Sequence, residues 1–498
     1  MNFFKKIKEQ IRSIDINKKE LWQSVLFLSI VYVVAYISIF RANYSYIDDI
    51  VRTVRGDDVC GTFSRHVSEF LSYFIHTTTG RLTDVSPLPQ LLACVFLAFS
   101  GFVLVKTMQV RGLREAQPSI FENYYLLLAT LPIGLSPYFL ECISYKFDAP
   151  YMALSILASV FPFLFMHKNR WIYAGISVLS LLIMTMTYQA ASGIFLMMMV
   201  YFFFRTILYK SDSVKNAFIF LGISCLSYGI ALGLFRFCFM QEVNAYVSTD
   251  VSVNHNIFLL FWHNITRYFP LVYRDWNVIW KITTLIILVV FYVKNIVLSK
   301  LNKVVAFLVT TLFLTLLAVS IFGVYLLLEH PLFDPRAMYG VGVFLAILGV
   351  DICFSLKKIF SFPAIVLSWC FVVFAFAYGN CLADQKRYAE FRAEMLIHDL
   401  SQLLPEKTKE PHEIAIIGTI GHSAVVENVA RNNPVIKRLV PALRGTHPFS
   451  YIALSPYHKF PLRQNKKLAE NQDEMSVVFD SFYHTIKKNN EGIVVILK

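Results

Sequence analysis

A chain of 498 residues that is 56% hydrophobic and only 16% charged, with 45 Phe and 26 Tyr, carries too much apolar surface for a soluble enzyme. Its mean hydropathy of +0.55 places it in the membrane class. A formal charge of +13 would suit a nucleic-acid ligand, but the placement of the charges excludes that reading. The eight cysteines show no CxxC and no Cys/His cluster at metal spacing, so no metal site is expected.

The N-terminus (MNFFKKIKEQIRSIDINKKE) is basic and amphipathic, and Leu21–Phe40 follows as an unbroken apolar run. No small-residue cleavage motif follows, so the run reads as a retained signal anchor. Further runs of spanning length lie near 87–106, 120–137, 150–167, 171–187, 190–205, 216–238, 277–294, 304–328, 338–356 and 359–382. The stretch 171–205 is too long for one ordinary span. A turn near Tyr188–Ser192 divides it into two short helices.

Charge fixes the expected orientation. One set of short loops, with the N-terminal segment, holds 19 basic and 7 acidic residues, an excess of 12 out of the total +13. The positive-inside rule assigns that side to the cytoplasm, so the charge is a topogenic signal and not a nucleic-acid surface. The N-terminus is then cytoplasmic, about eleven spans follow, and the loops 41–86 and 239–276 and the tail 383–498 lie outside. Surface helices are expected near Thr62–Thr78 and Ile257–Tyr273.

The tail opens with a helical pattern over Asp384–Leu404. Glu413–Gly418 (EIAIIG) and Gly492–Leu497 (GIVVIL) read as short buried strands, with turns at Gly418, Gly421 and Gly445. The stretch GTIGHS lacks phosphate-loop spacing and reads as a strand-to-turn connection. The expected fold is an all-α polytopic membrane domain over 1–382 with a small soluble α/β domain over 383–498.

Charged residues at the outer membrane edge are costly to desolvate without a partner or a task, so they are the candidates for chemistry. The first outer loop opens RANYSYIDDIVRTVRGDD. Asp48 or Asp49 there is placed to act as general base on a sugar hydroxyl, and Asp57 and Asp58 are rivals farther from the span. Arg41, Arg52 and Arg55 flank the acid pair and suit a phosphate leaving group. A second loop, YFLECISYKFDAP, adds Glu141, Lys146 and Asp148. A third, LLLEHPLFDPRAMYG, adds Glu329, His330, Asp334 and Arg336. Tyr188 and Gln189 can reach the same face, and Arg81, Lys146 and Arg336 are candidates to hold a phosphate. Cys60 and Cys142 both fall in outer loops, where an oxidising compartment would permit a disulfide.

Taken together, NYSYIDD after the first span, SPLPQLLA at the second, FLECISYKFDAP after the third and DPRAMYG before a late span resemble the bacterial O-antigen glucosyltransferases of the Gtr type. These are polytopic enzymes of the GT-C class that act in serotype conversion of lipopolysaccharide. The resemblance covers roughly 21–382 in layout and leaves the tail unassigned. It implies transfer of a glucosyl unit from polyprenyl-phosphate-glucose, on the periplasmic face of the bacterial inner membrane, to a lipid-linked O-antigen acceptor. The anomeric centre would be inverted, with Asp48 or Asp49 as base and no cofactor. It also implies two functional partners, a flippase and an enzyme that makes the donor lipid. Two other classes share the many spans. An O-antigen polymerase would favour an arginine-rich central outer loop, and Arg267 and Arg274 are few. A transporter or flippase would favour ionisable groups deep in broken spans, and Gly222, Gly229 and Gly233 read instead as helix-packing positions.

Overall fold

The computed structural model describes residues 17–57, 63–109, 120–241, 256–354, 358–404, 410–445, 450–459 and 461–498. Among them, eight helices are long and apolar enough to cross a membrane, and a ninth crossing results if the pair Tyr124–Leu135 and Pro137–Ser144, bent by 64°, counts as one span. Two further apolar runs form shorter helices, Ala149–Phe165 and Gly340–Cys353. Each of the eleven apolar runs thus coincides with helix, although three depart from a single straight crossing. The long run at 171–205 divides where the turn was expected: Arg170–Thr187 and Gln189–Tyr209 are separate helices, and Tyr188 between them is extended at φ −153°.

Polarity in the spans is inverted relative to a soluble bundle. Val278–Leu298 exposes Val278, Ile279, Ile282, Leu285, Ile286, Val289, Val293 and Val297, while Thr283, Thr284, Lys294 and Asn295 point inward with Trp280, Ile287 and Phe291. The apolar stripe faces lipid, where hydrocarbon costs nothing to meet, and polar groups find partners only inside the protein. Lys294 is therefore no loop charge. Its Nζ lies 2.9 Å from Asp351 Oδ2, and Tyr201 Oη donates to Asp351 Oδ1 at 2.8 Å, tying three helices together. Tyr201 in turn accepts from Arg205, which also donates to the Met108 carbonyl.

Close helix contact is reserved for other glycines than the three singled out by sequence. Nothing lies within 4 Å of where a Cβ would stand on Gly222, Gly229 or Gly233, so these do not pack against a neighbouring helix. Gly193 instead meets Ser320 O and Gly323 N, and Gly323 adopts φ +50°, which a side chain would strain.

The two expected surface helices are present as His66–Ile75 and Ile257–Asp275. The first buries Ser68 and Ser72 and exposes Phe70 and Phe74. The second buries Asn264, Tyr268 and Asp275 and exposes Phe258, Leu259 and Trp262. Both present bulky apolar residues outward, as a helix at the membrane surface does.

The last span does not stop at 382. Phe362–Leu403 is one 42-residue helix, and its C-terminal half supplies Ala393, Leu396, Ile397 and Leu400 to the core of the tail domain. That core packs on a five-stranded sheet of order β2-β1-β5-β4-β3, where β1 is His412–Gly418, β2 Leu462–Gln464, β3 Ser476–Asp480, β4 His484–Lys488 and β5 Ile493–Leu497. β1 is parallel to β2 and β5, and β4 is antiparallel to β3 and β5. The two strands expected from sequence, β1 and β5, are neighbours inside the sheet. The domain packs at the Ala42 end of the first span, since Tyr44 and Tyr46 just beyond it donate to the carbonyls of Pro441 and Leu439.

Replacing Asp351 by Leu should lower stability by about 3–5 kcal/mol, because Lys294 would stay buried without its counter-charge. Adding Lys294→Met should restore most of the loss. Thermal unfolding in detergent tests both, and a single variant as stable as the parent would contradict the assignment.

Candidate active site

The turn that carries the acid pair is held from both sides. Asp49 N donates to Tyr46 O at 2.8 Å, and Asp49 Oδ2 accepts from the amides of Tyr46 (3.3 Å) and Lys146 (2.9 Å). Ile47 within the turn sits at φ +37°. A β-branched residue in the left-handed region is strained by roughly 1–3 kcal/mol and persists only where its surroundings dictate it. The turn delivers the neighbouring carboxylates to different places. Asp49 is fully buried and opens the short helix Asp49–Arg55, whereas Asp48 is half-buried and acts electrostatically on Tyr145.

Two of the three charged candidates of the second loop, Lys146 and Asp148, are paired with residues of the first outer loop. Arg52 lies 2.9 Å from Asp148, and Lys146 Nζ lies 2.6 Å from Asp84 and 3.1 Å from Asn43 Oδ1. Arg52, Lys146 and Asp148 are buried, so these contacts lace the first outer loop to the loop 144–148. Arg52 also lies over the Phe147 ring, and the His76 ring stacks on that same ring with centroids 5.2 Å apart. Burial pushes the Asp49 carboxyl up to about 7 against the opposing pull of Arg52 and the Lys146 amide. For Asp84, burial also acts upward, but the Lys146 ammonium and the Ser86 hydrogen bonds outweigh it and hold the carboxyl below its usual value.

A second group converges beside Asp48. Arg336 donates to Tyr145 Oη through its guanidinium and, through its backbone amide, to Glu141 Oε2 at 2.7 Å. Tyr188 is buried, stacks near Tyr339 and carries the Arg65 guanidinium 4.6 Å above its ring. Gln189 reaches the Phe63 carbonyl at 3.5 Å, so the turn at 188–189 does meet the first outer loop. Arg65 was not expected. It lies between Phe63 and Tyr188, and its Nε is buried with no hydrogen bond. Its only sequence signal is its place at the start of the surface helix.

Other candidates lie apart. Arg41 is exposed and bonds Asn380, linking the first and last spans. Arg81 is exposed, with its backbone against Gly56. Asp57 is exposed, while Asp58 and Cys60 lie outside the described residues. Cys142 is a buried free thiol whose Sγ faces the carbonyls of Tyr138 and Arg336.

On the other side of the turn a chamber of about 660 Å³ separates the first outer loop from the tail domain, with Ile47, Ile50 and Glu141 on its floor. A smaller cavity of about 380 Å³, lined by His167, Lys168, Arg170 and Arg205, lies at the opposite end of the spans, away from every candidate residue.

Residues 37–347 match the family model described as glucosyl transferase GtrII. The chain belongs to the GtrII glucosyl transferase family. The matched stretch contains all the candidate residues named above from Arg41 to Arg336, and it ends before the long helix and the tail domain. A protein of Salmonella phage P22, described as an uncharacterized 55.3 kDa protein in the gtrB 5′ region, is 24% identical over 429 residues, covering 80% of this chain and 82% of its own length. No solved structure matches the chain.

The raised pKa of Asp49 has a consequence for stability. Its neutral form is favoured by the fold, so its contribution is greatest below the unfolded value of 3.8 and is lost as pH rises through about 7. Asp49→Asn keeps an acceptor for both amides and cannot ionise. Its melting temperature should therefore fall less than that of the parent between about pH 4.5 and 7.5; parallel pH profiles would show that Asp49 is not neutralised in the fold.

Proposed function

We propose that this glucosyl transferase takes its sugar from a polyprenyl-phosphate donor lying in the membrane and delivers it, on the periplasmic face of the inner membrane, to lipid-linked O-antigen. The observation that carries the reading is the half-buried Asp48 beside Tyr145 and Arg336, on a turn fixed just past the end of the first span. The family membership supports the glucosyl unit, and the gtrB-region relative supports a serotype-converting setting.

In this reaction the acceptor hydroxyl oxygen forms a bond to the anomeric carbon as the bond from that carbon to the phosphate oxygen breaks. Asp48 takes the hydroxyl proton, and polyprenyl phosphate leaves with the bonding pair. Attack opposite the phosphate inverts the anomeric centre. Arg336, which donates to Tyr145 Oη and lies 3.6 Å from Asp334, and Arg65, set over the Tyr188 ring, would meet the phosphate, and both are planar guanidiniums suited to a group that gains charge as it departs. Arg52 and Lys146, by contrast, act on the substrate only indirectly, by holding the turn. The excess of basic residues in the loops at the Lys18 end of the first span supports a cytoplasmic N-terminus and a periplasmic tail domain. A donor-lipid synthase and a flippase would supply the donor to that face.

Asp48→Asn should reduce glucosyl transfer by roughly a hundredfold or more without lowering the amount of folded protein. The assay is transfer from synthetic polyprenyl-phosphate-glucose by membranes with matched protein levels. Undiminished turnover would remove Asp48 from the reaction.

A further inference from the structure

We infer that the chamber between the first outer loop and the tail domain is the binding site for the acceptor, a hydroxyl-rich oligosaccharide, and that the tail domain selects it. The inference rests on the transferase reading above and adds where the second substrate sits. At about 660 Å³ the chamber falls within the roughly 300–1,000 Å³ of sites that enclose small ligands. Its lining includes Tyr46 and Ile47, the two residues that precede Asp48 in the turn, and Glu141 on its floor accepts from the Arg336 amide.

The lining identifies the ligand chemistry. Tyr44 and Tyr457 bring aromatic rings to the lining, and Glu390 and Arg444 bring an acceptor and a donor. An acyl chain would want an apolar lining throughout, and a phosphate would want converging cations. Of the four lysines and arginines in the lining, Lys437 pairs with Glu427 at 2.7 Å, Arg438 pairs with Asp275, and Lys386 donates to the Asn43 carbonyl at 3.2 Å. Ring faces beside donors and acceptors of both signs suit a neutral polyhydroxyl ligand.

The roof is fixed in place and is a separate part of the chain from the reacting centre. Tyr46 Oη donates to Leu439 O at 2.6 Å, and Arg55 donates to Tyr451 Oη at 2.6 Å, so the tail domain is docked directly on the loop that carries Asp48. Glu390, Arg444 and Tyr457 all lie beyond residue 347, where the family match ends. That division fits a glucosyl-transfer centre within the family match joined to an acceptor site outside it.

The test uses the full-length enzyme in detergent or nanodiscs, with polyprenyl-phosphate-glucose as donor and the lipid-linked O-antigen of the bacterium that carries the gene as acceptor. Glu390→Gln, Arg444→Gln and Tyr457→Ala should each raise the acceptor KM roughly tenfold or more, the loss of a hydrogen bond or ring contact, while the donor KM stays within about twofold of the parent. Acceptor KM values unchanged in all three, or a rise confined to the donor KM, would overturn the inference. If the parent enzyme transfers no glucose at all, the transferase reading has failed instead. The site is then judged by calorimetric binding of the O-polysaccharide freed from lipid by mild acid. Binding that the same variants weaken upholds it, and no binding by the parent overturns it.

Discussion

The outer end of this protein depends on a set of buried opposite charges that hold two loops together. Arg52 with Asp148, and Lys146 with Asp84, join segments nearly a hundred and more than sixty residues apart in the chain. Each ion, once buried, is tolerable only because its partner is fixed, so neither loop can shift alone. Asp49 completes the clasp by accepting the Lys146 amide. The strained turn at Ile47 is a result of that clasp, and the placement of Asp48 beside Tyr145 follows from the turn. The order of cause therefore runs from ion pairs to backbone to the half-buried carboxylate.

The same economy of polar groups operates within the membrane. Threonine, asparagine, lysine and aspartate face inward, and Lys294 and Asn295 find partners on other helices in Asp351 and Tyr209. The aliphatic face is left to lipid. Such helices cannot be ranked by amphipathicity as soluble ones are, because the buried side is the more polar one. The long helix Phe362–Leu403 carries this frame out of the membrane and into the core of the tail domain. The roof of the chamber is thus built on the last span itself.

Much of the architecture was legible in the sequence because a membrane allows few solutions: an apolar run must satisfy its own backbone, and helix follows. The turn at Tyr188 was legible for a related reason, since one helix over 171–205 would overshoot the bilayer. The strands β1 and β5 showed as apolar runs, whereas the edge strands β2 and β3 carry residues such as Arg463 and Ser476, and β4, although internal, carries Thr485, Lys487 and Lys488, so these three gave no such signal. For the site, sequence located the right loops but not the division of labour. Arg52, Lys146 and Asp148 look like substrate ligands until their partners are known, and pairing over such separations leaves no local trace. Arg65 escaped notice because what marks it is the Tyr188 ring, more than a hundred residues away.

The central claim is that the Asp48 turn and the tail domain share the outer face of the membrane. It is tested most directly by introducing cysteines at Ser45 and, separately, at the exposed Glu491, then labelling with a membrane-impermeant maleimide in spheroplasts and in inside-out vesicles. The account predicts that both positions react in intact spheroplasts and are shielded in inside-out vesicles. Reaction of either one only in the inverted vesicles would place it on the cytoplasmic side and contradict the account.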